Sequence, residues 1–210
     1  MEPITWAFIA AGAVVLLLLI VLAVRARRRH KAAARTTQLR DRFGPEYDRT
    51  VEAQGRSDGE SNLEDRVERY RRSPARPLHP DARQAARARW SELQASYVDD
   101  PRVAIQRAES LLRSILDERE VPSDRLDDRV TAAAFIRPGL ADQYRHAHQV
   151  FVDIESEKSD PSHEHDQRMA FLVYRELIVE HTRPPSGDDL EVVDEHREAD
   201  LRVTTGQPTD

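Results

Sequence analysis

Residues 140–154 read LADQYRHAHQVFVDI, and this stretch has the clearest helical periodicity in the chain. Its apolar residues recur three or four positions apart, as on one face of an α-helix. They are Leu140, Tyr144, Ala147, Phe151 and Ile154. A helix with one apolar face buries that face against other elements. The stretch therefore predicts one member of a helical bundle.

The neighbouring segments repeat this pattern, with helix-starting and helix-breaking residues between them. Asp100-Pro101 and Asp160-Pro161 each place a capping side chain before a proline at the first helical position. Pro138-Gly139 and Pro184-Pro185 end helices. No segment alternates apolar and polar residues as a strand does. Because short connections favour antiparallel neighbours, we predict an all-α fold with a soluble antiparallel bundle of four or five helices across residues 81–183.

The first residues predict a membrane anchor. Residues 4–24 are an unbroken apolar run, which as a helix spans roughly 31 Å, the thickness of the hydrocarbon core of a bilayer. Five basic residues follow and are expected at the membrane surface: Arg25, Arg27, Arg28, Arg29 and Lys31. The positive-inside rule then predicts a single-pass protein of the inner (plasma) membrane, with the N-terminus outside and the C-terminal domain in the cytoplasm. A cleaved signal peptide is the alternative, but its basic residues would precede the apolar run.

Composition divides the rest of the chain into segments. After a transmembrane anchor over residues 1–24, residues 25–62 are predicted to be a basic juxtamembrane segment and a flexible loop. Residues 63–80 predict a lone amphipathic helix and a proline-rich linker that leads to the bundle. Residues 184–210 are predicted to be an acidic disordered tail, since residues 188–210 hold eight acids and two arginines.

The sequence carries no recognisable reaction machinery. The chain has no cysteine, which excludes disulfides, thiolate nucleophiles and zinc–thiolate sites. Its seven glycines form neither a phosphate-binding loop nor a dinucleotide fingerprint. Adjacent carboxylates at Asp99-Asp100 and Asp127-Asp128 diverge on or before a helix, so they do not make a catalytic pair. We therefore predict a protein that is not an enzyme and uses no cofactor.

Two histidine pairs raise the alternative of a metal site. His146 and His148 lie on one predicted helix, and His163 and His165 begin the next. Side chains two residues apart on a helix point about 200° apart, so neither pair chelates a metal alone. Only His148 meeting His163 or His165 across two helices would create such a site, and no metal is predicted.

Two tyrosine–arginine pairs lie on neighbouring predicted helices and suggest a contact surface. If those helices pack together, the arginines flank a groove that can receive a carboxylate or a phosphate. The residues of this predicted interaction groove are Tyr144, Arg145, Tyr174 and Arg175. In the alternative, the arginine stems cover the edge of the core and pair with Asp142 or Glu176.

These patterns predict a non-enzymatic interaction or scaffold protein at the cytoplasmic face of the membrane. Its expected partners are the lipid bilayer and another protein or a second copy of itself. A sensor module that binds a small anionic ligand or a lipid headgroup in the same groove is the alternative. Residues 63–89 hold eight arginines and four acids without interleaved aromatic residues, which argues against nucleic acid as a partner.

The order of motifs resembles an uncharacterised family of actinobacterial-type, single-pass, membrane-anchored helical proteins. The motifs that carry the resemblance follow the anchor and the basic segment: FGPEYD (43–48), Trp90 with Gln94, YVDDP (97–101), YRHAH (144–148) and RMAFLVYREL (168–177). The resemblance covers most of residues 1–181 and implies a helical architecture with one anchor. It implies no activity, and Phe135-Ile136-Arg137 departs from its pattern.

Overall fold

The computed structural model describes residues 22, 25, 33–73, 75–156 and 164–184, and every regular element in them is a helix. Eight helical segments follow one another: α1 (33–43), α2 (Pro45–Gln54), α3 (Arg56–Arg72), α4 (Pro80–Ser96), α5 (Pro101–Glu118), α6 (Leu126–Ile136), α7 (Leu140–Glu155) and α8 (Glu164–His181). The predicted all-α class is thus confirmed for the described part of the chain. Five helices, α4 to α8, occupy the region for which a bundle of four or five helices was predicted.

Helix α5 lies at the centre of the packed helices. It packs against α4, α7 and α8, while α6 packs against α7. Its residues Ile105 and Leu112 are at most 1% exposed, as are Leu140 on α7 and Ile178 on α8. Burial of each such side chain contributes about 1.5–3 kcal/mol to folding. The apolar stripes read from the sequence are therefore the surfaces that join these helices.

Local capping chemistry sets where the central helices begin. The Asp100 carboxylate accepts a hydrogen bond from the backbone N–H of Val103 at 3.0 Å, which confirms the predicted N-cap of α5. Ser123, in contrast, does not cap α6. Its hydroxyl donates to Asp117, and α6 begins at Leu126 without a side-chain cap.

The flexible loop predicted within residues 25–62 is wrong for residues 56–62, because α3 begins at Arg56. Gly55 does break the chain, with φ +80°, but Gly59 lies inside α3. A Cβ at Gly59 would lie 3.1 Å from the carbonyl oxygen of Thr50 and from the Cα of Val51. Gly59 therefore allows α3 to pack closely on α2, and its presence does not indicate a loop.

The prediction of a lone helix after residue 63 is also wrong. Helix α3 packs on α2 and α6, and Leu63 is 0% exposed. The Tyr70 ring stacks on Phe135 of α6 with a centroid distance of 4.2 Å. Since Phe43 and Tyr47 are also buried in the same core, the packed domain includes α2 and α3 and begins well before residue 81.

The predicted anchor lies almost wholly outside the described residues. Leu22 and Arg25 are described, both helical and exposed, whereas Arg27, Arg28, Arg29 and Lys31 are not among the described positions. Within the described part of the chain, no helix is both long and apolar enough to cross a membrane. The acidic tail from residue 185 onward likewise lies outside that part.

Candidate interaction groove

A carboxylate lies in the middle of the bundle. Glu109 on α5 is 1% exposed. It accepts a hydrogen bond from Nε of Arg113 at 2.9 Å and another from the hydroxyl of Tyr144 at 3.1 Å. Nε of Arg129, a buried residue on α6, lies 3.7 Å from the same carboxylate and donates to the Tyr144 oxygen at 2.8 Å. With His148, whose Nδ1 lies 3.3 Å from Glu109, these residues form the Glu109 cluster.

The basic neighbours of Glu109 keep its carboxylate ionised. Burial acts to raise the pKa of Glu109, but His148, Arg129 and Arg113 outweigh burial and lower it. Nδ1 of His148 lies close to the Glu109 carboxylate but is not aligned for a hydrogen bond, so the interaction between them is electrostatic. Burial, together with the Glu109 charge, raises the pKa of Tyr144. The phenol therefore stays protonated and is not a nucleophile near neutral pH.

A second charged cluster joins four helices. Glu46 of α2 is 1% exposed, and its two oxygens accept hydrogen bonds from Arg145 of α7 at 2.8 and 2.6 Å. Arg145 also donates to Asp127 of α6 at 2.7 Å. Arg66 of α3, 3% exposed, lies 3.6 Å from Glu46 and donates to the hydroxyl of Thr131 at 3.1 Å. Burial acts to lower the pKa of Arg145, but Glu46 and Asp127 raise it. We call Glu46, Arg66, Asp127 and Arg145 the Glu46 cluster.

The groove predicted from the tyrosine–arginine pairs is wrong in its geometry. The rings of Tyr144 and Tyr174 do meet edge to face, with a centroid distance of 6.2 Å, but both residues are 0% exposed. Arg145 is engaged by Glu46 and Asp127, while Arg175 is exposed on α8. Inward-facing tyrosines in a tight core leave no open space between them, so they line no groove.

The charge partners named as the alternative also differ in the structure. Asp142 pairs with Arg49 at 3.0 Å, and Glu176 pairs with Arg137. Arg49 and Arg137 therefore take the places expected for Arg145 and Arg175 as the partners of these carboxylates. Helical spacing finds neighbours within one helix, whereas these pairs join separate parts of the chain.

The histidines do not come together where the structure describes them. His148 faces Glu109 and stacks on Phe151, while His146 lies 3.9 Å from Asp166. His165 is exposed at the start of α8, and His163 lies outside the described residues. Among the described positions, no group of three or more potential ligands forms a metal site.

An open groove of about 550 Å³ runs between α4 and α5. We call it the α4/α5 groove; it is lined by Arg89, Glu92, Leu93, Ser96, Arg107, Ser110, Leu111 and Ser114. The hydroxyls of Ser96, Ser110 and Ser114 each donate to a carbonyl of their own helix at 2.8–3.1 Å. Over the described residues, no carboxylate pairs with Arg89 or Arg107, and both arginines are exposed. The groove thus offers two guanidinium groups without an ion-pair partner among the described residues, beside one carboxylate, Glu92, three serines and two leucines.

No protein-family model, curated protein or solved structure matches this chain. The resemblance to a membrane-anchored family therefore stays a prediction.

The sequence contained one sign of this groove. Arg107, Ser110 and Ser114 recur three and four residues apart beside the apolar stripe of α5, so a small polar face adjoins the buried one. Arg89 and Ser96, seven residues apart, make a matching face on α4. Periodicity places each set on one face of its helix, but only the packing of α4 on α5 brings the two sets together.

A buried histidine at the end of α8 makes stability depend on pH. His181 is 5% exposed, and NH1 of Arg119 lies 3.2 Å from its Nδ1 and donates to its carbonyl oxygen at 3.0 Å. Burial, followed by the Arg119 charge, lowers the pKa of His181 to about 3. Since an unfolded histidine has a pKa of about 6.5, the unfolded state binds the proton first as the pH falls. Stability is therefore full above about pH 6.5 and decreases below it.

We expect the free energy of unfolding to fall by about 2 kcal/mol between pH 7.5 and pH 5. Urea denaturation at the two pH values measures this difference. The variant His181→Gln keeps an acceptor for Arg119 but does not titrate, so it should lose most of the difference. An unchanged pH dependence in His181→Gln would show that another group is responsible. The interval avoids the carboxylates with lowered pKa, Glu109 among them, which take up protons only at lower pH.

Proposed function

We propose that this chain is a non-enzymatic scaffold whose helical domain binds an acidic segment of another protein in the α4/α5 groove. The observation that carries the proposal is the pair of exposed arginines, Arg89 and Arg107, which have no ion-pair partner among the described residues. Arginine binds carboxylates through paired hydrogen bonds, and it is favoured at contact surfaces. Leu93 and Leu111 give the groove an apolar base for aliphatic side chains.

The interior of the domain supports an interaction role over a reaction. Glu109 and Glu46 are the most deeply buried acids among the described residues. Glu109 is held by Arg113 of its own helix and by Arg129 of α6, and Glu46 by Arg145 of α7. A catalytic carboxylate must reach a substrate through a cleft. The contacts of Glu109 instead hold α5, one wall of the groove, against α6 and α7, and those of Glu46 join α2 to α3 and α7.

We place the domain at the cytoplasmic face of the membrane, held by the apolar run of residues 4–24. The support is the sequence alone: an uncharged span of bilayer length followed by Arg25 and its basic neighbours. A protease added to intact cells should leave the helical domain uncut. Its degradation from outside would overturn this orientation.

Site-specific cross-linking in intact membranes tests the groove. A photoreactive amino acid at Ser110, on the groove wall, should cross-link a discrete partner. Reversal of both groove charges, by Arg89→Glu with Arg107→Glu, should reduce that product at least tenfold, since each exposed ion pair contributes about 0.2–1 kcal/mol and each new carboxylate repels the acidic segment. Arg175→Glu, an exposed arginine on α8, is the matched control and should leave the product unchanged. Equal products from all three proteins would refute the assignment.

A small anionic ligand or a lipid headgroup is the second candidate, because the same two arginines suit a phosphate. Inorganic phosphate at 100 times its dissociation constant would add about 2.7 kcal/mol of stability. A rise in the melting temperature with phosphate, lost in Arg89→Glu with Arg107→Glu, would favour this candidate over a protein segment.

A further inference from the structure

We infer that the α4/α5 groove also binds the acidic tail of this same chain, through residues 188–195, and that an external partner must displace this tail. The inference rests on the proposed function, since it names an internal competitor for the same site. It follows from where the chain leaves the bundle, from its length and from its chemistry.

The last described residues are held against the two helices that form the groove. NH2 of Arg87, on α4, donates to the carbonyl oxygen of Thr182 at 2.8 Å. Arg119, directly after α5, donates to the carbonyl oxygen of His181 at 3.0 Å. The end of α8 is thereby fixed beside α4 and the end of α5. Everything after Pro184 starts from this position.

The length of the tail suits the path to the groove. Asp188 lies four positions after Pro184, and an extended chain covers up to about 13 Å over four positions. A helix with its side chains is about 10–12 Å across, so half its circumference is roughly 16–19 Å, which an extended chain starting at Pro184 covers by residue 190. The groove residues of α4 run from Arg89 to Ser96, about 10 Å along the helix axis. Residues 188–195 are long enough to follow it.

The chemistry of the segment complements the groove. Residues 188–195 read DDLEVVDE, with five acids, three aliphatic residues and no base. Arg89 and Arg107 can pair with the acids, while Leu93 and Leu111 can contact the aliphatic side chains. A short tether gives the tail a millimolar effective concentration. Even a contact of millimolar affinity therefore fills about half of the grooves in the absence of a partner.

The absence of native cysteine gives a direct test in the full-length protein. Ser110→Cys with Val192→Cys places one thiol in the groove and one in the tail. Mild oxidation should form a disulfide within one molecule, at least ten times faster than in the control pair Arg175→Cys with Val192→Cys. Arg89→Glu with Arg107→Glu should slow it, and so should 1 M salt, which shortens the Debye length to about 3 Å. Equal rates for the two pairs, or a disulfide only between molecules, would overturn the inference.

A second measurement separates this inference from the proposed function. A fluorescent peptide of residues 186–197 is titrated into the intact protein and into a full-length variant in which the five acids of residues 188–195 are replaced by their amides. The peptide should bind the amide variant at least twofold more tightly. Equal binding to both proteins would refute the internal competitor but keep an acid-binding groove. No binding to either would refute both.

Discussion

Replacing Glu109 by glutamine should destabilise the domain by about 3–5 kcal/mol, the usual cost of leaving a buried charge without its partner. The carboxylate is 1% exposed, and Arg129, 5% exposed, depends on it for charge compensation. Glutamine keeps the shape and one acceptor, so the loss measures the charge and not a cavity. A typical domain has only about 5–15 kcal/mol of stability, and a large fraction of the protein should unfold at mild denaturant concentration.

Urea denaturation followed by circular dichroism measures this effect. Glu118→Gln, on the exposed surface of the same helix, makes the same chemical change and should shift stability by less than about 0.5 kcal/mol. A double-mutant cycle with Arg129→Met isolates the pair, and a coupling above about 1 kcal/mol is expected for residues in one network. Similar losses for Glu109→Gln and Glu118→Gln would contradict the cluster.

The second large effect is expected at Glu46. Glu46→Gln removes the charge that faces both Arg145 and Arg66, and we expect a loss of about 3 kcal/mol. Asp127 stays in place and still compensates part of the arginine charge, which keeps the loss near the lower end of the range for buried pairs. Because Glu46 ties α2 to α7, the change should also loosen the N-terminal helices from the rest.

Hydrogen exchange separates these two consequences. In Glu46→Gln, the amides of α2 and α3 should exchange at least tenfold faster. The amides of α5 and α8 should exchange faster only by the factor that the loss of global stability accounts for. Glu52→Gln lies on the exposed side of the same helix α2 and serves as the control. Uniform acceleration in every helix would show that Glu46 stabilises the domain as a whole and does not hold α2 and α3 specifically.

The sequence predicted the helices of the central domain well because their apolar spacing is strictly helical. Leu140, Tyr144 and Ala147 face the core as expected, and the Asp100 cap forms. The start of α3 at Arg56 and its packing on α2 were not predicted, for a physical reason. Gly59 is favoured both in loops and where two helix backbones approach each other, and its immediate neighbours do not distinguish the two cases.

The candidate site was harder to predict than the helices. The periodicity correctly predicted that Tyr144 and Tyr174 face the core. It does not indicate how tightly side chains pack, and both tyrosines are fully buried. The partner of Arg145 is Glu46, ninety-nine positions earlier. No local pattern encodes a contact at that separation, and the same holds for the approach of Arg107 to the face of α4 that carries Arg89.

The Glu46 cluster has a consequence for the evolution of this protein. One change among Glu46, Arg66, Asp127 and Arg145 leaves an uncompensated charge beside the buried Glu46 and Arg66, whereas a joint replacement by apolar side chains of similar volume should be tolerated. These four positions should therefore mutate together in the lineage. Their co-variation would trace the ancestry of this fold even where the rest of the sequence has diverged beyond recognition.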